Sequence, residues 1–289
     1  MHPKYAESAA RLRAWAQERE DVRAVVLLGS QIRQKQAGDE WSDLDVLLLV
    51  DDPDPYLRGD AWLAFLGQPV LAVGEETPLD WLGLTWAVKR VVFADNRALD
   101  FSILPAARQA DVLALNAEIH MHGFEVLYAA DPAALEAEIR AGLAGVNAPA
   151  AATLGQAEME RLVDSLFFQL IWAGKKIRRG EVRTAVSAIN QLVSGPLLRL
   201  IEARAALDAA QSSPIRYEGR FLEERLPPWL AEELPECFAK YDPADAMRTI
   251  GHLIEIIGRL AGEVAGASGY EHDQGKYEQV RALYLDLLG

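Results

Sequence analysis

The sequence predicts an α/β domain followed by an all-α helical domain, and three observations carry this prediction. Short runs of β-branched and aliphatic residues recur through the first half of the chain, between helical segments. From about residue 150 onward the apolar residues recur at helical spacing instead, and no convincing strand pattern is left. Residues 141–155, between the two halves, are rich in Ala and Gly, as linkers often are. We therefore expect one domain at 1–145 and a second at 146–289.

The first half opens with an amphipathic helix, in which Ala9, Leu12 and Trp15 share one face. Apolar runs then predict strands at 22–28, 44–50, 69–73, 84–93 and 99–104. Prolines and acidic residues at 51–56 predict a turn, and a short helix follows at 56–66. We expect a loop at 74–77, a turn at 94–97 and a helix that begins at Pro105.

The second half carries the 3.6-residue periodicity of helices. Helices are predicted at 157–181, 184–207, 242–266 and near 276–288. Pro196 is expected to kink or interrupt the second of these helices, because proline removes a backbone donor. Asp242, followed by proline, has the pattern of a helix N-cap.

Composition limits the range of functions. The formal net charge is −14, which argues against a nucleic-acid partner. It fits a cleft that attracts a cationic small molecule, and equally a surface charged only for solubility. No apolar run approaches the ~20 residues of a membrane span, and the first residues lack the apolar core of a signal peptide. With a single cysteine, Cys237, no internal disulfide can form, so we expect a cytoplasmic protein.

The pattern that indicates chemistry lies at residues 25–50, where two apolar strands flank a polar insert. The first strand ends in Gly29-Ser30, and Asp43 and Asp45 stand at the start of the second. Side chains two residues apart on a strand share a face, so these carboxylates project together, about 7 Å apart. Their repulsion is relieved by a hard cation with oxygen ligands, such as Mg²⁺. Glycine, the serine hydroxyl and the amides of a following helix suit a phosphate group.

This arrangement of Gly-Ser, twelve residues and Asp-x-Asp resembles the polymerase-β-like nucleotidyltransferases. That resemblance implies a mixed sheet and a third carboxylate from a later strand, and Asp100 in "RALDFSILP" matches it. Asp43, Asp45 and Asp100 would then hold Mg²⁺, and Asp100 is also a candidate general base. The alternative without a functional site is an Asp-rich turn, with Asp100 as an unrelated surface residue.

Landmarks along most of the chain are similar to those of the aminoglycoside 6-adenylyltransferase (streptomycin adenylyltransferase) family. They include "WSDLDVLLLV", "FFQLIWAGKKIRRGE" and "SAINQLVSGPLLRLIEAR". The resemblance implies that ATP donates AMP to a hydroxyl group of an aminoglycoside such as streptomycin, with Mg²⁺ and with release of pyrophosphate. ATP would bind at the sheet and the cationic acceptor between the domains.

The resemblance also implies roles for residues that bind the nucleotide. Gly29, Ser30, Gln31 and Arg33 would contact it directly, and Lys175 would reach the triphosphate from the helical domain. The family usually has arginine where this chain has Gln31, and a neutral carboxamide cannot neutralise a phosphate. Arg33 or Lys35 would then supply the charge. The alternative for Lys175 is an exposed lysine at the basic end of a helix.

Two residues are candidates for binding the acceptor. Asp164 could bind an ammonium group, or it could belong to a solvated helix face. Phe168 belongs to the pair Phe167-Phe168, which stands where the family commonly has two tryptophans, so the identity of the acceptor is open. Trp41 could stack on adenine, although we favour a packing role.

Other functions stay open at this point. The acceptor could be a lincosamide or a protein side chain, or the chain could be an inactive nucleotide-binding regulator. A helical interaction protein with a coincidental motif is a third alternative. His120 and His122 share a face if extended, but no third zinc ligand with suitable spacing is evident. We expect a monomer, with a dimer as the alternative.

Overall fold

The structure is a computed structural model that describes residues 1–33, 37–80, 83–115, 123–143, 153–207, 222–271 and 273–288. Its contacts divide the chain into two compact units, Met1–Ala148 and Pro149–Gly289. The predicted boundary at 145/146 lies outside the described residues, and the separate roles of the two domains stay a prediction. Among the described residues, no helix has both the length and the apolar character that a membrane span requires.

The first unit is built on a six-stranded mixed sheet. The strands are β1 (Val22–Leu28), β2 (Leu44–Val50), β3 (Pro69–Leu79), β4 (Leu84–Phe93), β5 (Ala98–Pro105) and β6 (Glu125–Ala129). Their spatial order is β3-β4-β5-β2-β1-β6. Of the pairs between these described strands, β2–β5 is parallel and the others are antiparallel. The prediction of a mixed-sheet α/β fold is therefore confirmed.

Helices cover both faces of this sheet. They are α1 (Pro3–Gln17), α2 (Asp54–Arg58), α3 (Gln109–Leu115) and α4 (Pro132–Leu143), with 3₁₀ turns at Ala61–Phe65 and Ala106–Arg108. Val25 and Leu27 of β1 belong to the same buried cluster as residues of α1, whereas Val26 and Leu28 belong to the cluster that includes α4. Because the central strands are buried on both faces, they read as continuous apolar runs in the sequence.

Several boundaries in the first unit differ from the predictions. The residues expected to form a loop, 74–77, belong to β3, which pairs with β4 along its whole length, so ladder hydrogen bonds outweigh the polar composition. The helix expected at 56–66 is split, because Gly59 is extended. Pro105 ends β5 and precedes a 3₁₀ turn rather than beginning an α-helix. Strand β6 is absent from the predictions. The predicted turn at 94–97 is confirmed, with Asn96 at φ 59°.

All regular secondary structure in the described residues of the second unit is helical, as predicted. Its helices are α5 (Gln156–Arg178), α6 (Val182–Leu192), α7 (Leu198–Ala205), α8 (Pro228–Glu233), α9 (Pro243–Ser268) and α10 (Gln274–Leu288), with 3₁₀ turns at Leu222–Glu224 and Leu234–Cys237. A π-helical turn at Val193–Leu197 contains Pro196, which confirms the predicted interruption. Asp242 accepts a hydrogen bond from the Asp245 amide at 2.8 Å, which confirms the predicted N-cap.

Glycines determine how the last helix packs. A Cβ atom on Gly258 of α9 would lie 2.5 Å from the ring of Tyr277, and one on Gly251 would lie 2.5 Å from the hydroxyl of Tyr284. The two tyrosines of α10 are seven residues apart, as are the two glycines of α9. The rings therefore fit against exposed helix backbone, and this contact positions the side chains of the first turn of α10.

Candidate active site

Gly29 lies at the end of β1 and packs directly against a carboxylate of β2. Its φ of +70° is in the left-handed region that favours glycine. A Cβ atom at this position would lie 1.7 Å from Oδ2 of Asp45. The register places Leu28 opposite Asp45, which explains why the next residue meets the same side chain. Glycine is thus required both by the backbone conformation and by the space available.

Ser30 follows in a tight turn rather than at the start of a helix. The amides of Ile32 and Arg33 both donate to the Gly29 carbonyl at 3.2 Å, and Gly38 donates to the Ser30 carbonyl at 2.7 Å. The Ser30 residue is only 7% exposed, and its Oγ has no hydrogen-bond partner among the described residues. Buried hydroxyl groups usually have partners, so this atom is well suited to a ligand oxygen.

Gln31 is buried and is engaged by the protein itself. Its Oε1 accepts from the His2 amide at 2.9 Å, and its Nε2 donates to the Asp39 carbonyl at 2.9 Å. The carboxamide thus ties the N-terminus and the loop before β2 to the Gly-Ser turn. Its predicted contact with the nucleotide stays a prediction, as does that of Arg33. Lys35 lies outside the described residues.

Asp43, Asp45 and Asp100 come together near the amino-terminal ends of the two central strands, β2 and β5. Each offers a carboxylate oxygen, and these three atoms all lie within 4.8 Å of one another. Asp45 and Asp100 are direct partners across the parallel β2–β5 pair. Asp43 stands immediately before β2, behind a turn in which Asp39 Oδ1 accepts from the amides of Trp41 and Ser42 at 3.0 Å. Side chains 57 residues apart in sequence thus form one half-buried cluster.

The cluster is electrostatically costly without a cation. The pKa of Asp100 is raised, first by burial and then by the charge of Asp43, and the guanidinium of Arg90 opposes this effect. Arg90 Nε lies 3.4 Å from Asp100 Oδ2, and the same guanidinium also pairs with Glu75. Sequence reasoning missed this arginine. The register of β4 against β5 places Arg90 opposite Asp100, and this register cannot be known before the strand order is known.

Trp41 is 75% exposed, so the packing role favoured from the sequence is wrong. The turn centred on Asp39 directs this residue outward, and the Lys4 ammonium lies 5.9 Å from its ring centroid. His120 and His122, the other pair considered from the sequence, lie outside the described residues.

The remaining predicted residues lie on α5 in the second unit. Asp164, Phe168 and Lys175 line one open pocket of about 430 Å³, together with Phe167, Ile171, Trp172, Lys276, Val280 and Leu283. Phe168 is 72% exposed there. Asp164 also lines a second pocket of about 640 Å³. Lys276, which lines both pockets, was not singled out from the sequence because its partner Asp164 is 112 residues away.

Comparison with known proteins gives the class to which this fold and carboxylate cluster belong, the nucleotidyltransferase enzymes. More narrowly, the chain belongs to the streptomycin adenylyltransferase family, whose model matches residues 4–287. The family prediction is therefore confirmed.

Individual relatives are distant. An aminoglycoside 6-adenylyltransferase of Bacillus subtilis (strain 168) is 20% identical in an alignment of 282 positions that covers 93% of each chain. The crystal structure of an aminoglycoside 6-adenyltransferase from Bacillus subtilis is 16% identical, with a TM-score of 0.44, and the match covers 98% of this chain and 99% of that one. A nucleotidyltransferase-like protein from Exiguobacterium sibiricum 255-15 is 9% identical, with a TM-score of 0.34 and coverage of 98% and 86%.

Proposed function

We propose that the protein transfers AMP from ATP to a hydroxyl group of an aminoglycoside such as streptomycin, in a Mg²⁺-dependent reaction that releases pyrophosphate. The observation that carries this proposal is the cluster of three carboxylates beside the Gly29-Ser30 turn. Family membership supports the reaction class. The single cysteine supports a cytoplasmic setting, and the acidic composition supports a cationic acceptor rather than nucleic acid. We propose a monomer, with a dimer as the alternative.

The donor atoms suit Mg²⁺. Asp43, Asp45 and Asp100 offer only hard oxygen ligands, and burial together with the charge of Asp43 disfavours the charged form of Asp100. These three residues would hold the ion. When bound, Mg²⁺ neutralises phosphate charge and lowers the pKa of a hydroxyl group near it.

The side chains of the turn suit the phosphates. The unpartnered Ser30 hydroxyl can donate to a phosphate oxygen, and the missing side chain of Gly29 lets the triphosphate approach the backbone. Arg33 and, from the helical unit, Lys175 would add positive charge. Gln31 would support this turn through its two hydrogen bonds rather than by neutralising charge.

The transfer step is an in-line displacement at the α-phosphorus. The acceptor oxygen forms a bond to that phosphorus, the bond to the bridging oxygen breaks, and pyrophosphate leaves. Asp100 would hold Mg²⁺ and is also our candidate to take the hydroxyl proton once the acceptor is bound. Asp164 would bind an ammonium or guanidinium group of the acceptor, and Phe168 would give its ring a surface to stack on.

The test is pyrophosphate release with ATP and Mg²⁺, with and without streptomycin. We expect streptomycin-dependent release that the double substitution Asp43→Asn with Asp45→Asn abolishes. Asp54→Asn is the matched control, because this exposed aspartate at the start of α2 lies outside the cluster. A Tm raised by ATP with Mg²⁺ but no release would favour another acceptor or a regulatory protein. No nucleotide binding at all would overturn the proposal.

A further inference from the structure

An ion pair between α5 and α10 occupies the carboxylate that we assign to the acceptor. Lys276 Nζ lies 2.8 Å from Oδ1 and 3.0 Å from Oδ2 of Asp164, so the lysine engages both oxygens. Hydrogen bonding to Asp164 is the main reason that the pKa of Lys276 is raised, and the ammonium is therefore charged at neutral pH. Asp164 is thus already neutralised by a cation that belongs to the protein.

This pair forms a wall shared by the two pockets of the helical unit. Both pockets are lined by Asp164, Phe167 and Lys276. The larger one is also lined by three further carboxylates, those of Glu160, Glu271 and Asp273. Among the described residues that line this larger pocket, Lys276 is the only cationic side chain. The smaller pocket is mostly apolar and carries the exposed Phe168 ring.

The backbone of Lys276 is held firmly, so only its side chain is free to leave. Asp273 Oδ1 accepts from the Lys276 amide at 3.0 Å, which fixes the start of α10. The next residue, Tyr277, packs against the backbone at Gly258. The Lys276 and Asp164 side chains are 45% and 51% exposed, and water can therefore replace either partner at little cost.

We propose that Lys276 is a built-in counter-ion that a cationic acceptor must displace from Asp164, and that this displacement lowers the affinity for the acceptor. This inference rests on the proposed function, because it assumes a cationic acceptor. A ligand with an ammonium or guanidinium group placed over Asp164 replaces the lysine one for one. A neutral ligand leaves the pair in place, so the Lys276–Asp164 ion pair continues to separate the two pockets.

The exposure of the pair limits the size of the effect. An exposed ion pair contributes little free energy, so its displacement weakens acceptor binding by only about two- to fivefold. Lys276→Gln should therefore tighten the binding of a cationic acceptor by at least about twofold.

The experiment is a double-mutant cycle on the full chain, with streptomycin binding measured by calorimetry. Lys276→Gln should lower Kd by about two- to fivefold, and Asp164→Asn should raise it at least about tenfold, as expected for a lost charged hydrogen bond. With Asp164→Asn already present, Lys276→Gln should change Kd no more than Lys240→Gln does. Lys240 is exposed, lines neither pocket and carries the same charge.

Equal Kd values for wild type, Lys276→Gln and Lys240→Gln would overturn the inference. Streptomycin-dependent pyrophosphate release by the wild type would still uphold the proposed function in that case. A gain that persists in the Asp164→Asn background would also overturn it, because the lysine would then act without the carboxylate. No streptomycin binding by any variant would overturn the inference and the acceptor assignment together.

Discussion

Substitution of Gly29 by alanine should separate backbone strain from damage to the carboxylate cluster. The left-handed conformation costs an alanine about 1–2 kcal/mol, and Gly29 has a φ of +70°. The new Cβ would also lie 1.7 Å from Asp45 Oδ2, so this carboxylate has to move away from Asp43 and Asp100. We expect Gly29→Ala to lower Tm by about 2–8 °C for the strain alone and to abolish pyrophosphate release.

Gly83→Ala is the matched control, because Gly83 has a φ of +57° and a Cβ atom there would meet no described atom within 4 Å. This variant should lose comparable stability and keep full activity. The assay is thermal unfolding together with Mg²⁺-dependent pyrophosphate release. Full activity in Gly29→Ala, or equal loss of activity in both variants, would refute the reasoning that the Gly29–Asp45 contact shapes the cluster.

Three further substitutions test other parts of the structure. The raised pKa of Asp100 means that ionisation of this carboxyl group costs stability as pH rises through its pKa in the folded state. Asp100→Asn should therefore raise Tm at pH 7 while it abolishes activity. This gain in Tm should shrink as pH falls towards 3.8. Gln31→Ala removes a buried carboxamide and its two hydrogen bonds, with the His2 amide and the Asp39 carbonyl, and should cost about 1–3 kcal/mol in urea unfolding. Gly258→Ala should lower Tm because its methyl group collides with the tyrosine of α10, whereas Gly266→Ala in the same helix should raise stability by up to about 1 kcal/mol.

Each of these expectations has a result that contradicts it. A lower Tm for Asp100→Asn at pH 7 would mean that the Arg90 pair outweighs burial and the repulsion of Asp43. The control for Gln31 is Gln191→Ala, an exposed position whose side-chain amide, within the described part of the chain, donates to Ser187 one turn earlier. An equal loss of stability in both variants would remove the special role of Gln31. A Tm for Gly258→Ala that equals or exceeds that of Gly266→Ala would mean that α10 does not pack against α9 as described.

The two-domain class was predictable because the periods of strands and helices differ, and each is visible within ten or twenty residues. Asp43 and Asp45 were predictable for the same local reason, since the alternation of one strand places both on one face. Asp100 was found through the resemblance to a known family. Strand β6 was missed, and the extent of β3 was underestimated, because its polar half is stabilised by pairing with β4 rather than by its own composition.

By itself, then, the sequence determined the class of fold, the Gly-Ser pair at the end of β1 and the carboxylates that follow it. Only the tertiary structure decided which distant side chains meet these residues. It brought Asp100 beside Asp45, placed Arg90 against Asp100 and joined Lys276 to Asp164. The physical reason is that strand order and helix packing depend on which whole faces are buried against each other. This pairing of faces cannot be inferred from any single segment. Contacts between residues 112 positions apart follow only after those faces have packed.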